Sequence, residues 1–218
     1  MGYIKRFVRL FGGIFSIALG SVITIQGNVG CNPWIALNTG LNHTFGISVG
    51  TASILIGCIF VGVSAILREK IGVGTLINML FAGIFTDVIT YLKIIPRSPN
   101  LWVGMIMLVI GCWVFMWGTY LYISAGFGAA PRDCMMVVIA RKTKLPVGAC
   151  RIFLEGVAAL SGWLLGGMIG IGTLIAVLIN GPILQLICHW SHFNPKTVTH
   201  ETIPQTFVAF HKMLKVQK

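Results

Sequence analysis

Six apolar stretches, at 7–25, 48–67, about 75–94, 101–123, 147–165 and 174–190, carry few charged residues. A bilayer's hydrocarbon core is ~30 Å thick and takes about 20 helical residues to cross, so each stretch has the length of a transmembrane helix. With 56% hydrophobic and 10% charged residues and a mean hydropathy of +0.89, a chain of 218 residues has too much apolar surface to hide in a soluble fold. Two shorter segments, 33–45 and 131–142, each open on a proline after a glycine-containing turn: Gly30-Cys31-Asn32-Pro33-Trp34 and Gly128-Ala129-Ala130-Pro131-Arg132-Asp133. Proline suits a first helical turn, where its missing N–H has no partner to lose. About 13 residues at ~1.5 Å each cover roughly 20 Å, too little to cross.

The plan occurs twice. At a constant offset of 98, residues 10–92 match 108–190 at 19 positions, seven of them glycine pairs: 13/111, 20/118, 30/128, 50/148, 72/170, 74/172 and 83/181. Composition alone gives roughly one such pair, so the chain is a duplicated unit. Pro33 pairs with Pro131, and Gly-x-Gly-Thr-Leu-Ile recurs at 72–77 and 170–175, with Thr75 placed to cap the fourth apolar helix. The divisions are a first membrane repeat at 1–95, a loop at 96–100, a second membrane repeat at 101–190 and a tail at 191–218.

Two architectures fit an all-α polytopic protein of this kind. If each short segment dips in and returns, a unit is three transmembrane helices plus one re-entrant half-helix, and the repeats are inverted. If each crosses, the repeats are parallel, with eight crossings. Charge differences between the copies favour inversion. Arg141, Lys142 and Lys144 stand where the first copy has His43, Thr44 and Gly46, and Arg68 and Lys70 stand where the second has Gly166 and Met168. Equivalent loops facing opposite compartments produce this pattern under the positive-inside rule, with both termini cytoplasmic.

Irregular backbone at membrane depth must be buried in protein or line a wet cavity. Half-helix N-termini from inverted units, meeting near the midplane, make a site for an anion or polar solute. Its candidate residues are Asn28, Gly30, Asn32, Trp34 and Asn38 around the first turn and Gly128, Arg132 and Asp133 around the second. The alternatives are structural: glycines for tight helix packing, amides for backbone caps, Asp133 as a cap. Arg132 either holds an anionic group or snorkels to lipid headgroups, and a second turn opening toward the cytoplasm favours snorkelling. Asp87, Arg151, Glu155 and Gln185, with Asn78 and Asn180, are polar residues within apolar stretches. Arg151 and Glu155 are one turn apart and neutralise each other, as a structural pair or as a coupling pair. Asp87 is a proton or cation site, or an interfacial residue beside Lys93.

The net charge of +11 follows from basic loops meeting anionic lipid and does not imply nucleic acid. Cysteines 31, 58, 112, 134, 150 and 188 have no metal-ligand spacing. No cofactor motif and no nucleophile–base pair is readable, and the chain is expected not to be an enzyme. After Pro204, Phe207, Phe210 and Leu214 fall on one helical face with Lys212, Lys215 and Lys218 elsewhere, a basic amphipathic helix for the inner leaflet.

The paired Gly-x-x-Pro turns, with Pro33-Trp34 and Pro131-Arg132-Asp133, together with the Gly-x-Gly-Thr-Leu-Ile runs, resemble the YczE/YyaS/YitT group of bacterial membrane proteins over residues 7–190. Members often read Pro-Trp-Asp in the first turn; here Ile35 replaces the acid, while Asp133 remains in the second. The resemblance implies a bacterial plasma-membrane protein connected with transport. The functional expectation is a secondary transporter of a small polar or anionic solute, with the lipid bilayer and that solute as partners. The alternative is a non-transporting accessory subunit or scaffold. In an otherwise cysteine-free chain, His43→Cys is expected to react with an impermeant maleimide added outside the cell, and Arg68→Cys is not. Label reaching position 68 but not 43 contradicts inversion.

Overall fold

The computed structural model describes residues 3–67, 71–128, 130–132, 135, 139, 142–143, 147–193, 201 and 205–206, with the side chains of residues 147, 148 and 151 outside that set. These residues include seven helices: α1 (Tyr3–Gly27), α2 (Pro33–Phe45), α3 (Val49–Ile66), α4 (Val73–Tyr91), α5 (Leu101–Ala125), α6 (Val147–Leu164) and α7 (Ile171–Trp190). No strand occurs among the described residues. Five helices, α1, α3, α4, α5 and α7, are long and apolar enough to cross a membrane. The sequence suggested six. The sixth, α6, is 18 residues long; the side chains of 147, 148 and 151 lie outside the described set, and its described stretch Ile152–Leu164 is apolar. The chain is a multi-pass membrane protein whose outer surface is apolar: Ile66, Trp102, Ile152, Trp163 and Leu178 are among its many exposed large side chains.

Local chemistry sets the helix ends. α2 spans the same residues as the expected short segment. Its N-cap Asn32 accepts a hydrogen bond from the Trp34 N–H, and Pro33 occupies the first turn. It stops at Gly46, whose left-handed backbone (φ 68°) returns its N–H to the Asn42 carbonyl. Ser48 caps α3 and Asn100 caps α5 through their side chains. Thr75 does not cap α4. That helix starts earlier, with Gly72 at the N-cap, and Thr75 is buried inside it. Of the second short segment, residues 131, 132, 135, 139 and 142 are described, all helical. Residues 207–218, read above as an amphipathic helix, lie outside the described set.

α1 and α5 form the central pair. Gly13 meets Gly118, Gly20 meets Gly111 and Gly27 meets Gly104, so the numbering rises along one helix as it falls along the other. The two helices, equivalent in the repeat, therefore run antiparallel. Each glycine faces opposing main chain: a Cβ on Gly20 would stand 2.5 Å from the Phe115 nitrogen and 2.6 Å from the Gly111 oxygen. Apolar solvent gives no hydrophobic drive between helices, and close backbone approach through small residues takes its place.

The turns that follow these helices are seated reciprocally. Gly172 N–H donates to the Val29 carbonyl (2.9 Å), and Gly74 N–H donates to the Phe127 carbonyl (2.8 Å). Gly30, at φ +114°, packs on Gly170 and Thr173 of the other unit; Gly128, at φ +134°, packs on Gly72 and Thr75. Those φ values suit glycine alone, and a Cβ at either site would lie within 2.8 Å of the opposing residues. The Gly-x-Gly-Thr runs are thus the seats for the opposite unit's turn.

Gly20→Ala is expected to lower stability in detergent by about 1–3 kcal/mol by forcing the central pair apart. Gly12→Ala, whose Cβ would meet nothing within 4 Å, should leave it unchanged. Equal melting temperatures for the two variants would contradict this packing.

Candidate functional site

A cavity of about 140 Å³ lies inside the bundle. α1 gives it Ile17 and Ser21, and α5 gives it Phe115, Thr119 and Tyr122. α3 contributes Ser53, Ile56 and Phe60, and α4 contributes Asn78, Met79 and Thr86. The start of α2 supplies Trp34, Ile35 and Asn38, and the second turn supplies Ala130, Pro131 and Arg132. The two glycine turns leave opposite ends of the antiparallel α1–α5 pair. The residues just beyond each turn nevertheless border one space.

The cavity lining combines polar and aromatic side chains. Among the described residues lining it, Arg132 is the one charged side chain. Its guanidinium carbon stands 5.5 Å from the Phe115 ring centroid, a cation–π contact that lets a half-buried cation keep company inside an apolar bundle. Sequence reasoning favoured snorkelling for Arg132; the structure turns it inward. Trp34 meets Phe60 edge-on, with centroids 5.2 Å apart at 84°. Asn78 carries a buried Oδ1 that accepts no hydrogen bond from any described residue. An unpaired buried acceptor is costly.

Of the sequence-stated candidates, Trp34, Asn38 and Arg132 line the cavity, and Asn28, Asn32, Gly30, Gly128 and Asp87 make other contacts. Asn28 is exposed, with φ +54°, and accepts a hydrogen bond from Arg97 (2.9 Å). Asn32 caps α2. Gly30 and Gly128 hold the reciprocal seats. Asp87 sits one turn from the end of α4 and accepts hydrogen bonds from the Ser48 hydroxyl and, at 2.8 Å, from the Gly50 N–H. It fixes the start of α3, using a carboxylate where the helix dipole favours one. Gln185 is exposed on α7 and Glu155 is half-buried on α6. Asp133 and the side chain of Arg151 lie outside the described residues. The hydroxyls of Ser21, Ser53, Thr86 and Thr119 were not singled out from sequence, because small hydroxyl residues in apolar helices usually bond their own backbone. Thr86 and Thr119 do so, to Ala82 and Phe115.

A second polar cluster ties the tail to the second turn. The Glu201 N–H donates to the Gly126 carbonyl (2.9 Å), and its carboxylate accepts from the Tyr3 hydroxyl (2.7 Å) and pairs with Arg6. Arg6 also donates to the Ala125 carbonyl and lies over the Phe127 ring at 4.5 Å. Burial pushes the Glu201 carboxyl up, but the hydrogen bonds from Tyr3 and Arg6, the Arg6 charge and the Thr206 hydroxyl outweigh it and hold the pKa below its ordinary 4.5. The sequence placed this tail on the lipid surface and gave no sign that residue 201 returns to the turn.

The family model "Family of unknown function (DUF6198)" matches residues 4–189. The chain is 34% identical to "Uncharacterized membrane protein YczE" of Bacillus subtilis (strain 168) over 184 residues, covering 84% of this chain and 85% of that protein. It is 32% identical to an "Uncharacterized protein" of Haemophilus influenzae over 169 residues, 78% of this chain and 77% of that one. It is 30% identical to "Uncharacterized protein YyaS" of Bacillus subtilis over 178 residues, 80% and 88% of the two chains. No solved structure matches. The chain belongs to the DUF6198 family, with YczE and YyaS as relatives.

A folded-state pKa below the unfolded one means that Glu201 contributes stability above about 4.5, lost as the pH falls through the folded value. Acidification from about pH 5 to about pH 3 should therefore lower the melting temperature of the native chain more than that of Glu201→Gln. Superimposable pH profiles would contradict this.

Proposed function

We propose that this DUF6198 protein is a secondary transporter of a small polar or anionic solute in the bacterial plasma membrane. Its solute sits in the cavity bordered by the starts of both half-helices. The two repeats are inverted, each with three transmembrane helices and one re-entrant half-helix, and both termini are cytoplasmic. The antiparallel run of the equivalent helices α1 and α5 supports inversion, because equivalent membrane-length helices of parallel repeats would point the same way. The uneven loop charges agree with it.

One observation carries the functional reading: an arginine inside a membrane bundle, facing a cavity that has no described acid to neutralise it. An intramembrane cation without a protein counter-charge is costly, and an anionic solute lowers that cost on binding. Transport follows if the two units rock about the α1–α5 pair and expose the cavity alternately to each side. The chain's own residues bind and move solute in this account, without covalent chemistry.

A solute that binds only the folded state must raise its melting temperature, by RT ln(1 + [L]/Kd) in free energy. Screening purified protein against a broad metabolite panel should give at least one saturable stabilisation that Arg132→Ala removes. A flat response across the panel, with the Arg132→Ala and Asp133→Ala variants keeping the native phenotype in cells, would favour a non-transporting membrane subunit.

A further inference from the structure

Taking the permease reading as its basis, we propose that the cavity selects a small organic monocarboxylate with an apolar body about the size of a benzene ring. The carboxylate would face Arg132 and the body would face the aromatic wall.

Size sets the first limit. The cavity measures about 140 Å³; an engineered protein cavity of about 150 Å³ holds one benzene molecule. Sugars bearing phosphate, nucleotides and peptides are too large. Charge sets the second. Arg132 supplies one positive charge, and no described lining residue supplies a negative one. A monoanion cancels that charge. Phosphate bound as its dianion leaves net charge buried among apolar helices, and an amine adds to it. Geometry points to a carboxylate in particular. One face of the guanidinium is turned to the Phe115 ring, and its N–H groups form no hydrogen bond with a described residue. The planar edge of a guanidinium matches one carboxylate with two parallel hydrogen bonds.

The wall sets the third limit. Trp34, Phe60, Ile17, Ile56 and Met79 are apolar surfaces that a hydrated inorganic anion would leave uncovered. An aromatic ring or a branched aliphatic chain covers them, and the Trp34–Phe60 edge-on pair offers ring faces and edges for stacking. Pockets for small molecules combine such walls with a few converging polar groups. Here Asn38 and Asn78 bring amides into the same lining as the cation.

The test uses thermal unfolding of the purified full chain in detergent, with benzoate, benzamide, benzylamine and inorganic phosphate at matched ionic strength. Benzoate should raise the melting temperature saturably, while the other three should act no differently from the salt control. Arg132→Gln should weaken benzoate binding about tenfold or more, the usual effect of losing a charge-assisted pair. Ser53→Phe fills the cavity from α3 and leaves Arg132 in place. It should abolish the benzoate shift, and it decides the matter if Arg132→Gln does not fold. Equal stabilisation by benzamide, or a benzoate shift that survives in either folded variant, overturns the proposal. A saturable shift from phosphate or benzylamine in place of benzoate overturns the monocarboxylate class and leaves the permease reading standing. No shift with these four or with the broad metabolite panel overturns both.

Discussion

The structure depends on the direct backbone contact between α1 and α5. Their glycines bring main chain against main chain along both helices, from Gly13–Gly118 to Gly27–Gly104. In a bilayer, apolar side chains gain little by leaving lipid for protein, so van der Waals contact at close range must hold the bundle. That contact also sets the direction of the two units. Once α1 and α5 lie antiparallel, the turns at their C-terminal ends are carried to opposite ends of the pair. Each finds its hydrogen-bond partner at the opening of a helix from the other unit. The Val29 and Phe127 carbonyls, exposed by the break in the helix, are satisfied by Gly172 and Gly74. The exchange meets the demand that no backbone polar group be left bare in lipid.

From this reciprocal frame the chain builds an unequal interior. The cavity takes its walls from the first unit's four helices, from α5 and from the second turn. At equivalent positions, the first unit offers Trp34 and the second offers Arg132. Both residues line the one cavity, so divergence between the copies makes one contribution aromatic and the other cationic. The Glu201 tie adds a second asymmetry, because it fastens the second turn to the N-terminal part of α1.

Much of the frame was legible in the sequence. Membrane character followed from the length of the apolar runs, α2 from Pro33 after its glycine-containing turn, and duplication from glycines at a fixed offset. The offset did not say why those glycines are there: 13, 20, 111 and 118 face one another across the central pair, while 30, 72, 128 and 170 meet across the reciprocal seats. Sequence spacing shows equivalence and is silent on contact. The candidate site was only partly legible. Asn28, Asn32 and Asp87 look like ligand groups in a linear reading, yet their nearest demand is local: a loop arginine, a helix start and the first turn of α3. Asn78 and the hydroxyls of α1, α3 and α5 line the cavity because helices distant in sequence converge there, which no local pattern records. Glu201 is the extreme case, paired with Arg6 across almost the whole chain.

The central claim is the antiparallel register of α1 and α5, and paired cysteines in native membranes test it most directly. A Cβ on Gly27 would lie 3.5 Å from the Met107 Cβ, within the range for disulfide formation. In an otherwise cysteine-free chain, Gly27→Cys with Met107→Cys should cross-link on mild oxidation, while Gly27→Cys with Ala125→Cys should not. Cross-linking of the second pair and not the first would mean that the equivalent helices run parallel, which contradicts this account.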